Sequence, residues 1–191
     1  MIAVAFGLAG CSPLLVSELP PEQTLWLTPP AVTVSNAPVR QERLRVEVSV
    51  APGLDTESVL YLDPHGSLQR HPVLRWPEHP PELLGSLARR TLEDTRRYRA
   101  VLDGERTAPA EAELGGEVRE LFVVEEPEGA VARLTVAWTW SCVGATTVIP
   151  ARVYEAPEEV DGAAASWARA FQTVFDAALR ELAEASETGP C

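Results

Sequence analysis

Residues 117–156 read EVRELFVVEEPEGAVARLTVAWTWSCVGATTVIPARVYEA, and this stretch decides the fold class. It contains three runs rich in β-branched and aromatic residues, which are typical of strands. The runs are residues 117–126, 130–142 and 146–156. Turn residues separate them, PEG at 127–129 and a glycine at position 144, and such short connections join antiparallel neighbours. We therefore predict a three-stranded meander.

Trp138 and Trp140 lie two residues apart in the second run and therefore share one face of the predicted strand. Packing in the core is the favoured role for large aromatic side chains at such positions. If the two rings were exposed, they would instead anchor a partner protein.

More strands precede this meander. The sequence RLRVEVSVA at residues 43–51 alternates apolar and polar residues, which predicts a half-buried strand. SVLYLD and SLQRHPVLRW, at residues 58–63 and 67–76, flank the turn PHG and predict a hairpin. YRAVLD at residues 98–103 predicts a further strand.

Two segments change to helical period. Leucines and small residues recur at helical spacing from Leu83 to Leu92, and Pro81 suits the first turn of that helix. Near the C-terminus an apolar stripe predicts an amphipathic helix that packs on the sheet. Its members are Trp167, Phe171, Val174, Phe175, Ala178 and Leu182. The predicted fold class is α/β (α+β), a single domain with a mixed β-sheet and two main helices.

The charge of the chain restricts its partners. It has 191 residues, 28 acidic and 16 basic, and a net charge of −12. Nucleic-acid binding is disfavoured, because it depends on basic residues that neutralise phosphates. No apolar run reaches the roughly 20 residues that a membrane-spanning helix needs.

The N-terminus resembles the signal of a bacterial lipoprotein. An apolar run ends in Leu8-Ala9-Gly10-Cys11, which matches the lipobox, where the cysteine receives the lipid and the signal is cut before it. The alternative is an ordinary cysteine after a glycine. Ser12 follows, and no aspartate is there to retain the protein at the inner membrane. We expect a lipid-anchored outer-membrane protein that faces the periplasm of a Gram-negative bacterium.

The predicted organisation follows from these boundaries. It is a signal peptide at residues 1–10, a lipidated N-terminus and Pro-rich tether at 11–42, a domain at 43–186 and a tail at 187–191. One extended piece, TLWLT at residues 24–28, interrupts the tether.

In an oxidising compartment Cys142 and Cys191 form an even pair once Cys11 is lipidated. A disulfide between them is one arrangement, and a half-buried Cys142 with a free Cys191 is the other. The three histidines, His65, His71 and His79, share no ligand spacing with the cysteines, so we expect no metal site.

No catalytic motif is present in the sequence: there is no G-x-S-x-G, no Walker loop and no H-E-x-x-H. Asp55, Glu57, Asp63 and His65 fall in predicted turns, where aspartate is expected for backbone reasons. We therefore expect neither catalytic residues nor a cofactor.

The order of these parts resembles the ABC-type transport auxiliary lipoproteins, the PqiC-like family. The resemblance is carried by the lipobox, by TLWLTP at residues 24–29, by the Arg75-Trp76 pair before the first helix, and by ARLTVAWTW at 132–140. Leu60-Tyr61-Leu62 resembles the family's short strand but lacks its arginine.

The resemblance implies a non-catalytic accessory subunit of an ABC lipid transport system of the MCE type. The expected partners are an MCE-domain protein and the membrane that holds the acyl chains, such as palmitate. The alternatives are a structural lipoprotein of outer-membrane assembly and a lipid-anchored periplasmic hydrolase, which would need a nucleophile and a base in one cleft.

Overall fold

The computed structural model describes residues 21–104, 109–126, 129–158 and 164–189. These residues form a mixed eight-stranded sheet and two helices, which confirms the predicted fold class. The elements in chain order are β1 (Gln23–Thr24), β2 (Arg40–Val50), β3 (Ser58–Leu62), β4 (Leu68–Arg75), α1 (Pro80–Asp94), β5 (Tyr98–Leu102), β6 (Ala112–Glu126), β7 (Gly129–Cys142), β8 (Ala145–Glu158) and α2 (Ala164–Thr188).

The long strand β6 organises the sheet. On one side it pairs antiparallel with β7, which pairs antiparallel with β8, so the predicted meander is confirmed. On the other side it pairs parallel with β2 along its first half and with β3 near its end. β5 pairs with the other side of β2. β4 pairs with the other side of β3, and β1 pairs with β4.

The turn between β7 and β8 explains the tight antiparallel register. Cys142 pairs directly with Ala145, so only two residues connect the strands, and Gly144 has a φ of 81°. Glycine adopts this left-handed backbone without a steric penalty. The predicted turn at 127–129 lies almost wholly outside the described residues.

Both helices cover one face of the sheet. α1 packs on β2 and β5, and α2 packs on β7 and β8. All six residues of the predicted apolar stripe of α2 are buried. Trp138 and Trp140 are also buried, at 2% and 1% exposure, so core packing is their role.

The packed domain begins earlier than the predicted boundary at Arg43. β1 pairs with β4, the Leu25 N–H donates to the Arg75 carbonyl at 2.8 Å, and Leu25 and Leu27 are buried. Two leucines between prolines form too short a pattern to distinguish a packed segment from a tether. At the other end, α2 continues to Thr188, two residues beyond the predicted boundary.

Candidate functional site

The Arg75–Trp76 pair builds the corner where β4 leads toward α1. Arg75 Nη1 donates to the carbonyls of His71 and Leu74 at 2.9 and 3.0 Å, and Nη2 donates to that of Pro72 at 3.2 Å. The guanidinium also forms an ion pair with Glu22 at 2.8 Å. Because all these partners belong to β4 or to the segment before β1, Arg75 acts as a structural clamp.

Trp76 inserts into the core beside this clamp. It is 3% exposed and meets the Phe171 ring of α2 edge-on, with ring centroids 4.7 Å apart. The backbone N–H of Trp76 donates to the Glu57 carbonyl at 2.7 Å, which connects the corner to the start of β3. The Arg-Trp motif therefore couples the β3–β4 hairpin to α2.

His71 belongs to the same corner, and its Nδ1 is occupied by hydrogen bonds from the backbone. That atom accepts the N–H groups of Val73 and Leu74 at 3.2 and 3.0 Å. Burial lowers the pKa of His71, and the charge of Arg75 lowers it further. Its ring packs edge-on against Trp167 at 5.0 Å. The neutral imidazole thus acts as a backbone cap in an aromatic cluster.

The structure brings together a histidine and carboxylates that are far apart in sequence. His79 Nδ1 lies 2.7 Å from Asp55 Oδ1, and Nε2 lies 3.8 Å from Glu57 Oε1. The hydrogen bond to Asp55 raises the pKa of His79. Both of these partners of the His79 ring are carboxylates. The contact between His79 and Asp55 could not be predicted from the sequence, because 24 residues separate the two side chains.

Asp63 has the backbone role that the sequence predicted. Its Oδ1 accepts the N–H groups of His65 and Ser67 at 2.9 and 2.8 Å, which closes the β3–β4 turn. The Ser67 hydrogen bond is the main reason why the pKa of Asp63 is lowered. Across the described segments, no three His, Cys, Asp or Glu side chains are grouped as a metal site would need.

The face of the sheet that lacks helices carries ion pairs between β2 and the start of β6. Arg43 Nη2 lies 2.6 Å from Glu111 Oε1, and Arg45 Nη1 lies 2.9 Å from Glu113 Oε1. Hydrogen bonds from Arg43 lower the pKa of Glu111 to about 2. These two contacts pair Arg43 and Arg45 with carboxylates of the neighbouring segment.

A groove of about 530 Å³ lies between the first half of α1 and the edge of β2. Its β2 wall is formed by Val46, Glu47 and Val48, and its helix wall includes Glu82 and Gly85. Four of its lining residues are carboxylates and only one is an arginine. Arg89, that arginine, pairs with Glu93 at 2.8 Å. The groove is therefore rich in negative charge.

Residues 25–183 match the sequence profile of the family described as ABC-type transport auxiliary lipoprotein component. The match covers the segment from Leu25 through most of α2. The chain belongs to this family. No curated protein matches the lipoprotein in sequence.

Solved structures show the same fold. The lipoprotein is similar to a protein from Xanthomonas campestris with a TM-score of 0.70 and 20% identity, covering 87% of this chain and 96% of that one. An uncharacterized protein aligns with a TM-score of 0.66 and 12% identity over 88% and 99% of the two chains. A hypothetical protein from Chlamydia trachomatis aligns with a TM-score of 0.51 and 10% identity over 78% and 100%.

The cysteines of the lipoprotein are only partly described. Cys142 is disulfide-bonded. Its predicted partner Cys191 and the predicted lipidation site Cys11 lie outside the described residues. In the part of the chain that the structure covers, no helix is long and apolar enough to cross a membrane.

Proposed function

We propose that this lipoprotein is a non-catalytic periplasmic subunit of an MCE-type ABC lipid transport system, held in the outer membrane by lipid on Cys11. The observation that carries the proposal is the family match over residues 25–183. The partner is then the MCE-domain protein of the same system, and the lipoprotein works by binding it.

The polar clusters of the described chain support a binding role. Arg75 holds the backbone of β4, His71 caps two N–H groups, and Asp63 closes a turn. Each of these groups is occupied by a structural hydrogen bond. We therefore expect no turnover of esters, peptides or nucleotides by the purified protein.

The anchor is close to the domain. Cys11 precedes β1 by 12 residues, because β1 begins at Gln23. A fully extended chain of that length spans about 40 Å at most. A domain held by acyl chains on Cys11 would thus stay within about 40 Å of the membrane surface, where it could meet a conduit protein that crosses the periplasm.

Replacing the lipidated residue tests the anchor. We expect Cys11→Ala to abolish incorporation of labelled fatty acid and to release the protein from the membrane fraction or leave it as an uncleaved precursor, because no other thiol stands at the lipobox. Metabolic labelling with a fatty-acid analogue and fractionation measure this. Labelling of the Cys11→Ala protein equal to that of the wild type would contradict the assignment.

Affinity purification from crosslinked membranes of the native bacterium tests the partner. The tagged lipoprotein should recover the MCE-domain protein of a lipid transporter, and deletion of its gene should cause a defect in envelope permeability. Recovery of an outer-membrane assembly machine without the MCE-domain protein would refute the proposed function.

A further inference from the structure

The edge of β2 is only partly covered by its neighbour β5. The two strands pair as far as Arg45 and Leu102, and no later pair follows. A Cβ placed on Gly104 would lie 3.5 Å from the Val46 carbonyl oxygen, so the chain stays beside β2 for about one more residue. Beyond it, no strand of the described segments pairs with this side of β2.

The backbone groups of Val48 and Val50 point away from β6, toward the side on which no described strand pairs with them. The Ala51 N–H donates to the Val118 carbonyl of β6, and the Arg43 carbonyl accepts the Glu111 N–H. Backbone groups alternate between the two sides of a strand, so the odd-numbered residues face β6. Val48 and Val50 therefore present their N–H and C=O groups to the other side, as a strand needs in order to accept another strand.

β8, an outer strand of the sheet, contains prolines, in contrast to this stretch of β2. Pro150 and Pro157 of β8 are residues that sheets tolerate on edge strands or at bulges. Residues 46–50 contain no proline and alternate valine with Glu47 and Ser49. Proteins usually protect edges of this kind unless a partner uses them.

Gly85 of α1 lines the groove of about 530 Å³ beside this edge. A Cβ placed on Gly85 would meet Val48 Cγ2 at 3.9 Å, an ordinary van der Waals contact, and no other atom within 4 Å. Glycine is the poorest helix former apart from proline, so a longer side chain at position 85 would fit the helix and extend from its groove-lining position.

The charge of the groove decides the chemistry of its occupant. Glu47 and Glu82 line it from opposite walls, and neither forms an ion pair with another described residue. A third carboxylate, Glu78, accepts the hydroxyl of Ser86 at 3.1 Å. Arginine or lysine side chains on an added strand would meet these carboxylates, whereas an acidic strand would be repelled.

We propose that this groove binds an extended, basic segment of the MCE-domain partner, which adds as a strand beside Val48 and Val50 of β2. The identity of the partner rests on the proposed function. The main-chain hydrogen bonds of Val48 and Val50 supply affinity, and Glu47 and Glu82 select for positive charge.

Two variants of the full lipoprotein, expressed in the native bacterium, test the groove. Gly85→Gln places a side chain in the groove while improving helix propensity, and Glu47→Arg with Glu82→Arg reverses its charge. The matched control, Glu125→Arg with Glu184→Arg, makes the same change in net charge at exposed positions outside the groove. We expect both groove variants to lower recovery of the MCE-domain protein from crosslinked membranes at least tenfold, and the control to leave it within twofold. Wild-type urea midpoints would show that all variants fold.

A photo-crosslinking amino acid at Glu82 identifies the occupant directly. The expected adduct joins position 82 to a basic segment of the MCE-domain protein. If wild type recovers that protein but the groove variants recover as much as the control, or if the adduct is a second copy of this chain, the inference is wrong while the proposed function stands. If wild type recovers no MCE-domain protein, the proposed function fails and the inference falls with it.

Discussion

Gly116 of β6 is a position where a single methyl group should destabilise the fold. A Cβ placed there would lie 2.6 Å from Trp138 Cζ3, 3.0 Å from Trp138 Cε3 and 3.1 Å from Val48 Cγ2. Gly116 pairs with both Val48 and Trp138, so the three residues share one row across the sheet. Because Trp138 is only 2% exposed, its indole is enclosed by the core and cannot swing out into solvent without disrupting the packing.

We expect Gly116→Ala to lower the free energy of unfolding by about 2 kcal/mol, because overpacking a tight core typically costs about 1–3 kcal/mol. For a chain of this length that corresponds to a fall in the melting temperature of about 4–8 °C. Urea unfolding followed by circular dichroism at constant m-value measures the loss. In a Trp138→Phe background the same substitution should cost less, since part of the clashing ring is gone.

Gly115 provides the matched control. It points to the opposite face, where a Cβ would meet only the Thr139 carbonyl oxygen at 3.8 Å. Gly115→Ala should therefore leave stability unchanged or raise it by up to about 1 kcal/mol, through a less flexible unfolded chain. Equal effects of the two substitutions would refute the argument that the Trp138 contact makes Gly116 necessary.

Three further predictions follow from the core, the C-terminus and the turn before α1. Phe171→Ala should lower the free energy of unfolding by about 3–5 kcal/mol in urea, because this α2 side chain is fully buried and packs against Trp76. A loss below about 1 kcal/mol would show that the apolar stripe of α2 does not pack in the core. Cys142 should pair with Cys191, closing a loop of about 50 residues worth about 4 kcal/mol in the loop-entropy model; two free thiols in a non-reducing mass spectrum would exclude it. NMR titration should give His79 a pKa above the ordinary 6.5, and Asp55→Asn should lower it. The raised pKa means that its contribution to stability is present below pH 6.5 and is lost as the pH rises through the folded-state pKa; an unchanged pKa in Asp55→Asn would contradict this.

Some features of the candidate site could be predicted from sequence motifs, and others depend on tertiary contacts. The Arg75-Trp76 pair could be recognised from the sequence, but its role could not, because the partners of Arg75 are carbonyls that a distorted strand brings together. The same holds for His79 and Asp55, whose 2.7 Å contact depends on how the β2–β3 loop meets the start of α1. The groove depends on where β5 stops beside β2, and no local pattern encodes that pairing.

Sequence periodicity alone determined the elements. Alternation in residues 43–51 predicted β2, and β-branched and aromatic residues between turn signals in 130–142 predicted β7. The stripe from Trp167 to Leu182 predicted the buried face of α2, because burial of apolar side chains follows the period of the helix. Tertiary structure alone decided that β6 pairs with both β2 and β3, and that Leu25 and Leu27 belong to the core. Local patterns report which face of an element is buried, whereas strand neighbours and the packing of short segments are chosen by contacts between residues distant in the chain.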